Sequence, residues 1–238
     1  MADTARRKAP LWLETIILLV IAIALALAIK TFFVQAFYIP SSSMRPGLVI
    51  NDRILVQKPS YWFGGEPERG DVVVFEDPGG WLPGPDPGPT NALTKAMAAI
   101  GLYPTGGHLV KRVIGVAGDT IVCCDDDGRL EINGHVIDED EFLATQRKCD
   151  GPMPFDGSCD WQVGPIPDGN IFVMGDNRGA SADSSEKLCK ETRPGCDSDD
   201  AFVSVDLVVG KVFSLVWPIG RFDWIGRPDA FDDVPDAD

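Results

Sequence analysis

The stretch TIILLVIAIALALAI, residues 15–29, is an uninterrupted uncharged run that sets the class of this protein. Together with the apolar Leu11, Trp12 and Leu13 before it, the run reaches roughly 20 residues, about the length of a helix that crosses a bilayer. A core helix of this length would carry a polar face, and this run has none. The sequence therefore predicts a membrane-spanning helix near the N-terminus.

Basic residues flank the two ends of this span unequally. Residues 6–8 (RRK) precede it, and only Lys30 follows closely. Under the positive-inside rule, the N-terminus is cytoplasmic and the chain after Lys30 lies outside the cell membrane. We therefore expect a cytoplasmic tail over residues 1–10, a single-pass transmembrane anchor over residues 11–33 and an extracytoplasmic domain over residues 34–238.

The apolar segment also admits a second interpretation, a cleavable signal peptide. The triplets ALA (residues 26–28) and VQA (residues 34–36) resemble the small-residue cleavage sites of such peptides. However, the apolar core of a signal peptide usually spans about 7–15 residues. The longer run found here favours an uncleaved anchor in the lipid bilayer.

Composition and charge restrict the partners of the protein. The formal net charge of −15 argues against a nucleic-acid partner, because phosphate binding requires clustered Lys and Arg. Part of this charge belongs to an acidic C-terminal tail, residues 229–238, which we expect to be solvated and disordered.

The cysteine pattern predicts disulfides. All six cysteines follow the apolar span, at positions 123, 124, 149, 159, 189 and 196. An even number of cysteines in an oxidising compartment is typical of disulfide bonding. The local pairs Cys149–Cys159 and Cys189–Cys196 are the simplest choice among about 15 connectivities. Since there is no CxxC pair and neither histidine lies at ligand spacing, we expect no metal site and no cofactor.

The rest of the pattern predicts a mainly β fold, in which the transmembrane helix is followed by an antiparallel β domain with a small inserted β lobe. Strand-like runs occupy residues 52–57, 71–76, 109–116, 171–174 and 206–217. Within residues 130–137, Asn133-Gly134 predicts a type I′ hairpin turn. Two insertions leave the sheet, at about residues 78–107, with a possible short helix at 90–102, and at about residues 122–168, which form the lobe.

Two segments carry residue types suited to nucleophilic catalysis. The first, PSSSMRP at residues 40–46, lies just beyond the outer end of the anchor, and a serine hydroxyl needs a base to take its proton. The second is the strand-like run LVKRVIG, where alternation puts Lys111 on the face of Leu109 and Val113 and turns Arg112 away. Burial lowers a lysine pKa from about 10.4 by up to about 3–5 units, which lets the amine act as a base.

A third segment, GDNRGASADS at residues 175–184, follows a predicted strand. Together with GDVVVF at residues 70–75, these segments resemble the type I signal peptidase family, whose members carry P-S-x-S-M-x-P, G-D-(I/V)-V-V-F, K-R-x-(I/V)-G-x-x-G-D and G-D-N-R-x-x-S-x-D-S. All four motifs occur here in family order, at residues 40–46, 70–75, 111–119 and 175–184. The resemblance covers most of the chain, except the two insertions.

The resemblance implies a serine protease with a Ser–Lys dyad. It makes Ser43 the nucleophile and Lys111 the general base, with the Ser41 hydroxyl and the Ser43 backbone N–H as the oxyanion hole. Ser181 matches the serine that orients the lysine amine, and we expect a hydrogen bond from its hydroxyl to favour the neutral amine.

Four charged residues match the structural support of this site: Asp176, Arg178, Asp183 and Arg112. We expect ion pairs between Asp176 and Arg112 and between Asp183 and Arg178. The sequence has Ser185 where the family usually has an arginine, which leaves Asp183 with fewer predicted partners.

The implied substrates are the signal peptides of secretory preproteins, which the family cuts after small residues one and three positions before the scissile bond. The residues that match the walls of its shallow apolar pockets are Ile39, Met44, Leu48 and Val110. Two other functions stay open on the sequence alone. One is a Ser–His hydrolase that uses His108 or His135, and the other is an anchored β-domain without enzymatic activity.

Overall fold

The computed structural model describes residues 10–62, 64–82, 91, 107–125, 127–143, 161–189 and 198–237. Two α-helices lie in these ranges, α1 (Leu11–Phe32) and α2 (Ser184–Lys187). The strands are β1 (Val34–Tyr38), β2 (Arg53–Gln57), β3 (Val72–Glu76), β4 (His108–Gly115), β5 (Ile121–Cys123), β6 (Leu130–Ile132), β7 (His135–Val136), β8 (Trp161–Val163), β9 (Asn170–Met174), β10 (Val203–Ser204), β11 (Val208–Trp217) and β12 (Asp223–Trp224).

Helix α1 is the N-terminal element of the described chain and lies apart from the protein core. Its segment Leu11–Ile29 is long and apolar enough to cross a membrane, and none of it is buried inside the protein. At about 1.5 Å per residue, its 22 residues extend over roughly 33 Å. A helix that is apolar on every side and uncovered by its own domain requires an apolar environment.

The strands form two antiparallel sheets, which confirms the prediction of a mainly β fold after an apolar helix. The larger sheet has the order β1-β2-β11-β3-β4-β9-β10, with β12 paired to β11. The smaller sheet has the order β7-β6-β5-β8 and forms the inserted lobe. Strand β4 lies in the interior of the larger sheet, between β3 and β9.

The hairpin β6–β7 turns where the sequence predicts. Asn133 has φ 51° and Gly134 has φ 80°, and both angles are positive as a type I′ turn requires. The two strands pair with Glu131 opposite Val136. The turn also bonds to a residue outside the hairpin: the Asn133 side-chain amide donates to Asp119 Oδ1 at 2.8 Å.

The C-terminal tail is docked on the domain, so the prediction of a disordered tail is wrong. Phe231 and Val234 are buried in the core cluster that the lobe shares with β4 and β9 of the larger sheet. The Arg69 guanidinium donates to the carbonyl of Val234 at 3.4 Å, and the Asn133 amide donates to the carbonyl of Pro235 at 2.9 Å. Two apolar side chains among many acidic ones are sufficient to fix the segment once the core offers them a cavity.

Part of the disulfide prediction lies outside the described residues. Cys123 and Cys124 are joined to each other, and Cys189 is also disulfide-bonded. The predicted pairs Cys149–Cys159 and Cys189–Cys196 include residues that the structure does not describe, and so does the predicted helix at 90–102.

Candidate active site

Ser43 lies in the turn between β1 and β2 and is 5% exposed. Its hydroxyl is 3.2 Å from the hydroxyl of Ser41. Asn177 binds the backbone of this turn, because its side-chain amide donates to the Ser42 carbonyl at 3.0 Å. The Asn177 N–H donates to the Ser43 carbonyl at 2.9 Å. Asn177 lies in a matched motif, but no signal in the sequence indicates this contact.

Lys111 occupies the middle of β4 and is 4% exposed. It faces Val73 across the β3–β4 pairing, and its neighbours on the same strand face, Leu109 and Val113, are buried in an apolar cluster. The amine therefore lies in the aliphatic environment that strand alternation predicts. Lys111 Nζ donates to Ser181 Oγ at 2.9 Å.

Burial lowers the pKa of the Lys111 amine below its ordinary value, because desolvation disfavours the charged form. The carboxylates of Asp183 and Asp176 oppose this effect and raise the pKa. The Ser181 hydroxyl donates its proton to Asp183 at 2.5 Å and accepts from Lys111. The predicted hydrogen bond from Ser181 to the amine is therefore wrong in direction, and the lower pKa arises from burial.

Asp183 organises the loop that carries Ser181. Its Oδ2 accepts from the Gly175 N–H at 2.9 Å, and its Oδ1 accepts from the Ser185 N–H at 3.1 Å and the Ser185 hydroxyl at 2.7 Å. Asp183 is thus the N-cap of α2. The expectation that Ser185 would leave Asp183 short of partners is wrong, because the serine itself supplies two donors.

The two predicted ion pairs have different outcomes. Arg112 and Asp176 form the expected pair through two hydrogen bonds of 2.8 Å, so this pairing is confirmed. Arg178 does not pair with Asp183. Instead its guanidinium donates to Glu139 Oε1 at 2.6 Å, and Glu139 comes from the insertion that the family motifs do not cover. Nothing in the local sequence distinguishes Glu139 from the other acidic residues around it.

Gly175 lies between the serine turn and the side chain of Ser181. A Cβ on this residue would meet the Ser43 carbonyl oxygen at 2.5 Å and would collide with the Ser181 hydroxyl. The two segments therefore approach each other across a position that only a glycine fits. Among the hydrogen bonds of the described residues, the Ser43 hydroxyl has one with Ser41 and none with Lys111 or with either histidine.

The four predicted pocket residues share one apolar cluster. Ile39, Met44 and Leu48 are buried in it, and Val110 packs against it with part of its surface exposed. An open cleft of about 510 Å³ lies on the Arg112 side of the serine turn, and none of the four residues lines it. The described residues contain no group of three or more His, Cys, Asp or Glu side chains that could hold a metal ion.

Comparison with known proteins identifies the family. The sequence model of "Signal peptidase, peptidase S26" matches residues 12–217. The probable signal peptidase I of Mycobacterium leprae is 35% identical over 93% of this chain and 81% of its own length. The signal peptidase I of Mycobacterium tuberculosis is 37% identical over 88% of this chain and 74% of its own length.

The solved structure of a signal peptidase I from Enterococcus faecalis V583 matches 61% of this chain and 96% of its own. The sequence identity of this match is 21% and its TM-score is 0.30. This structural likeness is too low to support the family, which rests on the sequence matches over most of the chain. The chain therefore belongs to the signal peptidase family, peptidase S26, and is a signal peptidase, a hydrolase.

Proposed function

We propose that this protein removes N-terminal signal peptides from exported preproteins with Ser43 as the nucleophile and Lys111 as the general base. The observation that supports the proposal best is the buried chain of hydrogen bonds from Lys111 through Ser181 to Asp183. It fixes an amine of lowered pKa in the apolar interior, and the loop that fixes it also holds the turn of Ser43 through Asn177.

In the proposed reaction, the neutral amine of Lys111 takes the proton of the Ser43 hydroxyl while Ser43 Oγ attacks the carbonyl carbon of the scissile bond. The tetrahedral oxyanion accepts hydrogen bonds from the Ser43 N–H and the Ser41 hydroxyl. The ammonium then protonates the departing amine, which leaves an acyl enzyme. Water, activated by the same amine, attacks the ester and releases the signal peptide.

The free enzyme is compatible with this sequence of steps. The Ser41 hydroxyl already lies beside Ser43 Oγ, and rotation about its side chain redirects it to an oxyanion. The hydroxyl of Ser43 is bonded to Ser41 and not to Lys111 in the free enzyme, and catalytic hydrogen bonds often form or tighten only when the substrate binds.

Specificity for small residues follows from the apolar cluster around the serine turn. Ile39, Met44 and Leu48 are almost fully buried. They therefore form the closed floor of a shallow pocket and do not line a deep cavity. A floor that lies close to the substrate backbone admits alanine-sized side chains and excludes larger ones. Val110, which precedes Lys111 on β4 and packs against the same cluster, is the fourth residue that we propose for this pocket.

The proposed location is the cell membrane, with α1 as a single-pass anchor and the β domain on the outer side. The basic residues 6–8 before the span support this orientation. The uncovered apolar surface of Leu11–Ile29 supports insertion in lipid. Strand β1 begins at Val34, directly after α1, and this short connection supports a position of the serine turn near the membrane surface.

Family membership argues against an anchored β-domain without enzymatic activity. The Ser–His alternative has no support from the site, since His135 belongs to the lobe hairpin and the ring of His108 contacts Phe37 with centroids 5.2 Å apart.

The decisive experiment measures cleavage of a preprotein by the full chain in detergent. Ser43→Ala and Lys111→Ala should each abolish cleavage, and the double variant should be no slower, because the two residues act as a unit. Ser41→Ala should retain activity reduced by about 10²–10³-fold, as for the loss of one oxyanion donor. Lys187→Ala, a lysine change in the neighbouring helix α2, should cleave at the wild-type rate. Substantial turnover by Ser43→Ala or Lys111→Ala would disprove the dyad.

A further inference from the structure

A short segment of the inserted lobe contacts the motifs that carry Ser43 and Lys111. This segment, residues 139–143, is named the bracket here. Leu143 forms an isolated β-bridge with Pro46, at the end of the serine motif. The ring of Phe142 lies 4.4 Å from the guanidinium carbon of Arg112, which is adjacent to the proposed base. The bracket therefore meets both the serine and the lysine segments.

The third contact of the bracket is the ion pair between Glu139 and Arg178. Glu139 is 3% exposed and Arg178 is 7% exposed. Glu139 Oε1 accepts from Arg178 at 2.6 Å, and Oε2 accepts from the Leu130 N–H at 3.4 Å. Because a buried charge is strongly disfavoured without its partner, this pair fixes the position of the Arg178 side chain.

Arg178 passes this constraint to the peptide of Gly175. Arg178 Nε donates to the Gly175 carbonyl at 3.1 Å, and the Gly175 N–H donates to Asp183 at 2.9 Å. Asp183 in turn accepts from Ser181, which accepts from Lys111. A continuous chain of charged and hydrogen-bonded groups thus runs from the lobe to the proposed base.

Gly175 is the sensitive link of this chain, because it is in close contact with both the Ser43 carbonyl and the Ser181 side chain. A displacement of its peptide would change the position of the nucleophile and of the lysine-orienting hydroxyl together. Arg178, held by Glu139, prevents that displacement by binding the Gly175 carbonyl, while Asp183 binds the Gly175 N–H.

We infer that Glu139 is a positioning residue for signal-peptide cleavage, acting through Arg178 and the Gly175 peptide on the Ser43–Lys111 site. This inference rests on the proposed dyad. It gives the inserted lobe a part in catalysis, since the lobe supplies the carboxylate that holds the catalytic loop.

The test replaces Glu139 by glutamine, which keeps the shape of the side chain but has one oxygen acceptor in place of two. The substitution also removes the buried negative charge, so the Arg178 guanidinium loses its ionic partner whichever way the amide is oriented. We expect kcat on a preprotein to fall by about tenfold or more, as for a sub-ångström to ångström misplacement, while KM stays within about twofold. The matched control is Glu68→Gln, which removes an exposed glutamate partner of Arg227 at 2.9 Å and should leave kcat unchanged.

A second variant separates positioning from stability. Arg178→Lys keeps the positive charge but loses the Nε donor to Gly175, and it should reproduce the loss of kcat. The double variant should be no slower than the worse single variant, because both changes break one link. Wild-type kcat in Glu139→Gln, or losses that multiply in the double variant, would overturn the inference.

Failure of the positioning role can be told apart from failure of the proposed function. If Ser43→Ala is inactive while Glu139→Gln and Arg178→Lys cleave at the wild-type rate, the dyad stands and the positioning role is refuted. If Ser43→Ala cleaves normally, the dyad itself is wrong. The melting temperature of each variant is measured alongside, and a variant that is unfolded at the assay temperature is assayed below its transition.

Discussion

Replacing Gly175 by alanine is the most direct perturbation of the proposed site, because the added methyl group has no space. Its Cβ would lie 2.5 Å from the carbonyl oxygen of Ser43, whereas ordinary van der Waals contacts lie at 3.4–4 Å. The side chain of Ser181 blocks the methyl group as well. The conflict is with backbone and with a hydroxyl that is already hydrogen-bonded, so neither neighbour can yield freely.

Relieving this conflict requires a movement of about 1 Å between the serine turn and the loop of Ser181, since the shortfall in distance is about 1 Å. A misplacement of that size costs about 10²-fold in rate. The overpacking itself costs about 1–3 kcal/mol of stability, which in a protein of this size lowers the melting temperature by roughly 2–12 °C. Gly175→Ala should therefore remain folded and lose about 99% of its kcat.

The assay compares initial rates of preprotein cleavage at saturating substrate, with the melting temperature measured for each variant. Gly226→Ala is the matched control, because an added Cβ there has no atom within 4 Å, and it should behave as wild type. A Gly175→Ala protein with a kcat within about threefold of wild type would refute the reasoning, since a 1 Å misplacement is worth far more than that.

Two further predictions concern the base and the tail. The rate kcat/KM should rise with pH through the pKa of Lys111, with a midpoint below the value of about 10.4 for a free lysine, because burial lowers that pKa and only the neutral amine accepts a proton. Replacing His108 and His135 together should leave the pH profile unchanged, and a profile that collapses would exclude lysine as the base. Phe231→Ala should lower the free energy of unfolding by about 3–5 kcal/mol, or the melting temperature by roughly 6–20 °C, because Phe231 is buried and stacks on Phe142. If the melting temperature of Phe231→Ala shifts by less than about 1 °C, the tail is solvated and not docked.

Local pattern was sufficient for most of the fold. The uncharged run predicts α1, and alternation along LVKRVIG places Lys111 with Leu109 and Val113 in the apolar interior. The pair Asn133-Gly134 predicts its hairpin turn because only residues that tolerate positive φ fit there. These features depend on neighbours within a few residues, where the geometry of a helix, strand or turn is already fixed.

The partners of the buried charges were decided by the tertiary structure. Arg178 pairs with Glu139, which is 39 residues away, and not with the nearby Asp183. Asp183 is satisfied by backbone and hydroxyl donors of its own loop, so it needs no arginine. Sequence separation does not rank such partners, because Asp176 and Asp183 lie only two and five residues from Arg178 and the pair forms with Glu139 instead.

The positions of the docked tail and of the bracket also depend on tertiary packing. Phe231 lies in an acidic segment, and it is ordered because it is buried against Phe142 in the core cluster that the lobe shares with the larger sheet. The amino-acid sequence by itself determined the elements, the motif residues and the chemistry that they can perform. Which charge meets which, and which segment supports the catalytic loop, was decided only by packing, because the free energy of a buried group depends on the groups that surround it in space.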